Sequence, residues 1–199
     1  MAQIVIFANQ KGGVAKTTTT HNIGVSLAQM DKKILLVDLD PQANLTIGTG
    51  LEPEELKHTI VDVFEDEHFP ISDCIVKLKP NLHILPSIID LATLEMQIIS
   101  RTSREKILDR ILTPVKNNYD FILIDCPPQL NMLAINAFSC ADKVLIPVQT
   151  DYYAYRALSM LMNSIDETRE LTNNKIKIIG VIATLYDMRA NDDKEILSM

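Results

Sequence analysis

Five short apolar runs, at 3–8, 33–38, 120–125, 143–148 and 176–183, set the frame for this chain. Each is rich in Val and Ile, and each is separated from the next by polar sequence patterned like a helix. Strands covered on both faces need near-continuous apolar residues, and a strand–helix–strand rhythm brings each strand back parallel to the last. The pattern predicts an α/β fold: a mostly parallel twisted sheet flanked by helices. Residues 1–199 show no internal repeat, low-complexity tract or Gly/Ser/Pro linker and are expected to form a single domain.

The helical signals lie between the runs. "TTTTHNIGVSLAQM" places Ile23, Leu27 and Met30 on one face, and 152–171 does the same with Leu158, Leu161 and Ile165. "TSRE" at 102–105 fits a capping box, with Thr102 as the cap and Glu105 reaching back, opening a helix that "TPVKNNY" ends. Within 70–100 there is no clear turn chemistry, but "NLHILPS" reads as a short strand followed by a helix.

Charge and cysteine content narrow the function classes. The net charge is −7, yet residues 52–67 hold seven acidic side chains and one lysine, a local balance of −6. The remainder is close to neutral, so a basic face elsewhere stays open and the acidic stretch reads first as a solvated helix face. Cys74, Cys126 and Cys140 are an odd number at no metal-ligand spacing, which predicts buried, reduced thiols. The apolar runs fall far below the roughly 18–20 residues of a membrane span, so a cytoplasmic protein is expected. The absence of Trp argues against stacking of single-stranded bases.

The chemistry gathers where the runs end. "NQKGGVAKTTTT" at 9–20 follows "IVIF" and nearly matches the phosphate-loop pattern G-x-x-x-x-G-K-[ST], with Gln10 and Ala15 where that pattern asks for glycine. A loop leaving a buried strand and entering a helix gathers backbone N–H groups and the positive end of the helix dipole, and an anion belongs there. Gly12 and Gly13 allow close backbone approach, Lys16 can neutralise β and γ phosphates, and Thr17 offers a hydroxyl to Mg²⁺. Ala15 is tolerable if it keeps a helical, negative φ. In "ILLVDLDPQANLT", Asp38 and Asp40 emerge at the end of the second run. Strand alternation points both to one side, where one could hold a lysine while the other orients water; a plain Asp-Pro turn is the competing reading. In "YDFILIDCPPQL", Asp125 ends the third run and can hold Mg²⁺, usually through a water, with Cys126, Pro127 and Pro128 stiffening the turn beyond.

Together "KGGVAKTT", "DLDPQAN" and "IDCPPQL" resemble the deviant Walker A, switch I and Walker B regions of ParA-type partition ATPases, the MinD/ParA group of P-loop NTPases. The likeness continues through "VLIPVQTDYYAYRAL" and "GVIATLYDMRAN". It implies ATP and Mg²⁺ as cofactors and a weak, partner-stimulated ATP hydrolase. Nucleotide would be held by Lys11, Gly12, Gly13, Val14, Ala15, Lys16, Thr17, Thr18 and Asp38, and the metal by Thr17 and, through water, Asp125. Catalysis would fall to Lys11, Lys16 and Asp40. In the family the extra lysine, here Lys11, reaches across a homodimer to the partner's phosphates, Asp38 is the holder of a lysine, and Asp40 positions the attacking water. The same likeness implies an ATP-dependent dimer on double-stranded DNA of any sequence, with Arg189 contributing to that binding. It also implies stimulation by a ParB-type centromere-binding protein, plasmid or chromosome partition, and a nucleoid-associated location without membrane binding. Relatives generally run on past "DDKEILSM", so the C-terminal part of the family domain is expected to be missing.

Four other readings share parts of this pattern. A MinD-like division-site regulator needs a terminal amphipathic membrane helix. A nitrogenase-reductase-like carrier needs cluster cysteines that Cys126 and Cys140 do not match. A small-molecule kinase or ligase needs a substrate pocket that the sequence does not reveal. A nucleotide-binding module without turnover has little use for Lys11 or Asp40.

Overall fold

The computed structural model describes residues 1–150, 154–187 and 189. One seven-stranded sheet organises them: β1 (Gln3–Phe7), β2 (Ile34–Asp38), β3 (Val76–Lys79), β4 (Leu82–Leu85), β5 (Phe121–Asp125), β6 (Lys143–Gln149) and β7 (Lys177–Thr184). The order across the sheet is β3-β4-β2-β5-β1-β6-β7, and every neighbouring pair is parallel except β3 with β4. The five apolar runs are β1, β2, β5, β6 and β7, and "NLHIL" supplies β4. The unforeseen β3, "VKLK", pairs antiparallel at the sheet edge and alternates half-buried with exposed residues.

Alternation along the central strands sends side chains into two cores. Ile4, Ile6, Leu35, Val37, Ile122 and Ile124 face one side, and Val5, Phe7, Ile34, Leu36 and Leu123 the other. The helices are α1 (Lys16–Gln29), α2 (Asn44–Gly48), α3 (Ile60–Glu65), α4 (Ile71–Cys74), α5 (Leu91–Ile98), α6 (Ile107–Leu112), α7 (Met132–Cys140) and α8 (Ala154–Leu171). The first core receives α3, α5, α6, α7 and α8, with Leu161 and Ile165 of α8 buried and Leu158 packed against it. The second core receives α1 through Ile23 and Leu27. Met30 does not join them: the helix stops at Gln29, the chain turns through Asp31 at φ 60°, and Met30 is left 68% exposed. Gly24 lets α1 lie against β2, because a Cβ there would sit 2.6 Å from a Leu36 methyl.

The expected capping box at Thr102–Glu105 does not form. Ser103 turns left-handed at φ 52° and leads into a single 3₁₀ turn, Arg104–Lys106, before α6. The start of α6 is satisfied from outside instead: Asn136 of α7 accepts from the Leu108 N–H at 3.0 Å and donates to the Arg104 carbonyl at 2.8 Å. A capping box does occur at α3, where Thr59 accepts from the Val61 N–H at 3.2 Å and Asp62 accepts from the Thr59 N–H at 2.8 Å. Asp62 thus has a structural role, as does Glu67, which pairs with Arg110. The other acidic residues of 52–67 are exposed. All three cysteines are free and buried, and burial pushes the Cys74 and Cys140 thiols up to about 12. Among the described residues no helix is long and apolar enough to cross a membrane.

Candidate nucleotide-binding site

Three strand ends lie side by side. In register, Phe7 of β1 and Asp38 of β2 flank Asp125 of β5, so the loops leaving these strands open on the same rim of the sheet. The loop after β1 is braced from its first residues. Asn9 is buried, accepts from the Lys11 N–H at 2.9 Å and donates to the Pro147 carbonyl of β6 at 2.7 Å. Gly13 then takes φ 75°, and no heavy atom lies within 4 Å of a Cβ built on Gly12 or Gly13. The backbone there faces open space, as a phosphate cradle requires. Farther along, the Val14 carbonyl accepts from the Thr184 hydroxyl at 3.1 Å, tying the loop to the end of β7.

Ala15 departs from expectation. It sits at φ 59°, ψ 33°, a left-handed cap to α1, and not at a helical φ. Its methyl group is therefore strained where glycine would be relaxed. The Ala15 carbonyl still starts the helix, accepting from the Thr19 N–H and hydroxyl at 2.9 and 2.7 Å.

Lys16 is 7% exposed, and its ammonium donates to the Lys11 carbonyl at 3.2 Å. Burial lowers its pKa, opposed by the nearby negative charge of Asp125 and Asp40. Thr17 is half-buried at the start of α1, with its side chain near enough to Asp125 to pull that carboxyl down, whereas Thr18 is exposed. Asp125 is 1% exposed; one oxygen lies 3.5 Å from the Thr20 hydroxyl, and the other has no hydrogen-bond partner. Burial, and then the charge of Asp38, push its carboxyl up to about 7 against the pull of Thr17 and Lys16. A buried carboxylate with an unpartnered oxygen, beside a hydroxyl and facing an open loop, suits a hydrated divalent cation.

Asp38 ends β2 and Asp40 lies two residues beyond it, and the negative charge of each pushes up the Asp125 carboxyl. Asp38 is wholly buried and Asp40 half-buried. Asp38 holds no lysine among the described residues: its oxygens accept from the Thr46 N–H and hydroxyl, both at 2.8 Å, and from the Asp40 N–H at 3.2 Å. Burial pushes its carboxyl up to about 6 despite these bonds. Asp40 accepts from the Gln42 N–H at 3.0 Å, forming the turn that the Asp-Pro pair announced.

Lys11 reaches a neighbour in its own chain, its ammonium donating to Gln149 at the end of β6 at 3.2 Å. Arg189 is not part of this cluster. It is fixed to Asp187 by its backbone N–H at 2.9 Å and by two guanidinium bonds at 3.0 and 2.9 Å. Sequence reasoning missed Asn9, Thr46, Gln149 and Thr184. Asn9 alone carried a local signal, as the polar residue between an apolar strand and the loop; Thr46 returns to Asp38 through α2, and Gln149 and Thr184 meet the site only through the sheet order.

A phosphate loop with two lysines, a Walker-type aspartate at the end of the adjacent strand and a mostly parallel sheet define a P-loop NTPase of the deviant Walker A type. The AAA domain family model matches residues 2–178. The chain is 43% identical over 191 residues to the sporulation initiation inhibitor protein Soj of Bacillus subtilis, covering 96% of this chain and 76% of that one. It is 38% identical over 192 residues to the chromosome partitioning protein ParA of Myxococcus xanthus, covering 96% and 68%. Among solved structures it resembles cobyrinic acid a,c-diamide synthase from Mycobacterium smegmatis with bound ADP and magnesium, at a TM-score of 0.94 and 36% identity over all of this chain and 80% of that one. The chain belongs to the ParA-type partition ATPase family. It spans 62 to 76% of the length of the curated relatives it matches.

Proposed function

We propose that this chain binds ATP with Mg²⁺ at the loop of residues 9–17 and hydrolyses it slowly, as the switch of a DNA-partitioning system. The observation that carries the reading is the meeting of Lys16, Thr17 and the unpartnered oxygen of Asp125 at the foot of an open loop. Gly12, Gly13 and Val14 present backbone N–H groups to phosphate, Lys16 exchanges the Lys11 carbonyl for phosphate oxygens, and Thr18 lines the exposed side. Thr17 and, through water, Asp125 hold Mg²⁺, which supplies charge neutralisation at the transferring phosphoryl group. Asp40 orients the attacking water. The bound cation restores the ionised form of Asp125 that burial disfavours.

In this reading Lys11 leaves Gln149 in the ATP-bound homodimer and reaches the partner's phosphates, so turnover waits for dimerisation. The dimer binds double-stranded DNA without sequence preference, and a ParB-type protein stimulates hydrolysis and releases it. Family membership supports this cycle.

The likeness to a diamide synthase raises a second reading, a small-molecule ligase. One cavity, about 500 Å³, is lined by Phe69, Ile71, Arg110 and Val115. It lies toward the segment that precedes β5, away from the strand ends that carry the loop. The crevice beside Asn9 and Cys126 holds only about 10 Å³. Neither offers an acceptor substrate a place next to Lys16.

The test is retention on random-sequence double-stranded DNA with ATP, ADP or no nucleotide, alongside ATP turnover with and without the partner protein. Retention with ATP alone and partner-stimulated turnover are expected. Nucleotide-independent retention, or no turnover under any condition, overturns the proposal.

A further inference from the structure

Segment 39–46, which carries Asp40, is tied down at both ends by a single carboxylate. Asp38 accepts from the Asp40 N–H at one end and from the Thr46 N–H and hydroxyl at the other. The Thr46 hydroxyl is itself an acceptor, receiving the Ser87 N–H from the connection between β4 and α5 at 2.9 Å. Asp38, Thr46 and Ser87 are all 0% exposed. A hydroxyl that must donate to a carboxylate and accept from an amide has one orientation, and burial removes water as a substitute partner. Within the segment, the Asp40 carbonyl accepts from the Ala43 N–H at 2.9 Å, and Ala43 turns left-handed at φ 54° with its methyl group buried. The backbone around Asp40 is thus closed by bonds that involve no nucleotide.

We propose that Thr46 is a positioning residue for hydrolysis: its hydroxyl locks segment 39–46 onto Asp38 and Ser87, setting Asp40 in place before nucleotide arrives. The inference rests on the ATPase reading for its kinetic consequence, and its structural part stands apart from it. Thr46→Val keeps the shape of the side chain and deletes both hydroxyl bonds; Thr46→Ser keeps the hydroxyl.

The full chain is compared as wild type, Thr46→Val and Thr46→Ser, by amide exchange without nucleotide and by ATP turnover. In Thr46→Val the Ser87 and Asp40 amides exchange about 10-fold faster or more, while β5 amides hold their protection. Its kcat falls about 10-fold or more with KM unchanged, since only the placement of the water-orienting carboxylate is lost. Thr46→Ser restores both. Unchanged Asp40 protection in Thr46→Val overturns the lock, and so does a preserved kcat or a KM that worsens as much as kcat. If Thr46→Val fails to fold, Thr46→Ala is measured against the same criteria. A wild type without turnover sinks the ATPase reading, and the exchange data still decide the lock.

Discussion

Replacing Asp125 by Asn should make the nucleotide-free protein more stable at alkaline pH, although it removes a residue assigned to the metal. The carboxyl is 1% exposed and burial pushes it up from 3.8 to about 7. Between those values the folded protein retains a proton that the unfolded chain has released. Stability therefore falls as pH rises from about 4 to about 7 and levels off above. At 1.36 kcal/mol per unit the full span sets a ceiling of about 4 kcal/mol, and relaxation around the charge brings the expected penalty to roughly 2–4 kcal/mol. Asparagine carries no such penalty, and its amide can donate to the Thr20 hydroxyl. Urea unfolding in EDTA at pH 5 and pH 8 checks this. Wild type should lose stability between the two values and the variant should lose less, keeping a residual slope from Asp38, whose carboxyl is pushed up to about 6. At pH 8 the variant's midpoint should lie higher by on the order of 1 M urea. Adding Mg²⁺ and ATP should reverse the ranking. A flat wild-type profile, or a variant weaker than wild type at pH 8 without metal, would refute the reasoning.

Lys11→Ala should cut turnover by about 100-fold or more, as loss of one preorganised charge at a phosphoryl group does, while ATP binding survives in a filter or fluorescence titration; normal turnover removes Lys11 from catalysis. Ala15→Gly should raise stability by about 0.5–1 kcal/mol, relief of the left-handed strain exceeding the added freedom of the unfolded chain, and calorimetry should show Tm up by roughly 2 °C. Ala43→Gly should show no such gain, because the Ala43 methyl is buried. Arg189→Glu should weaken DNA retention on every sequence and lower the salt slope by about one unit; Asp187→Asn, which frees the guanidinium from its bidentate partner, should strengthen retention.

The parts of the fold that depend on continuous burial were legible. A strand such as "FILID" must be apolar throughout because helices cover both faces, and its length and terminal aspartate placed Asp125 on the rim. β3 escaped because an edge strand needs one buried face, and "VKLK" alternates over only four residues. The Thr102 box failed for a related reason: Asn136, 34 residues away, satisfies α6, and no local pattern encodes that partner. Ala15 was misjudged because a helical, negative φ was expected of an alanine, whereas the loop imposes a left-handed φ on whatever residue stands there. At the site, the loop and the two strand-end carboxylates could be read directly. What Asp38 touches could not, since Thr46 returns to it through a five-residue helix and is itself held by Ser87 from the connection after β4. The contact between Lys11 and Gln149 likewise depends on β6 lying beside β1.

The three reduced cysteines give the molecule a chronometer of its own. Cys74 ends α4, Cys140 closes α7, and Cys126 follows Asp125 at the end of β5, so each buried sulfur sits in a different piece of the architecture. An alkylating reagent has to wait for the piece above it to open. Counting which sulfur is capped first, with and without nucleotide, would time the breathing of each region without attaching a foreign probe.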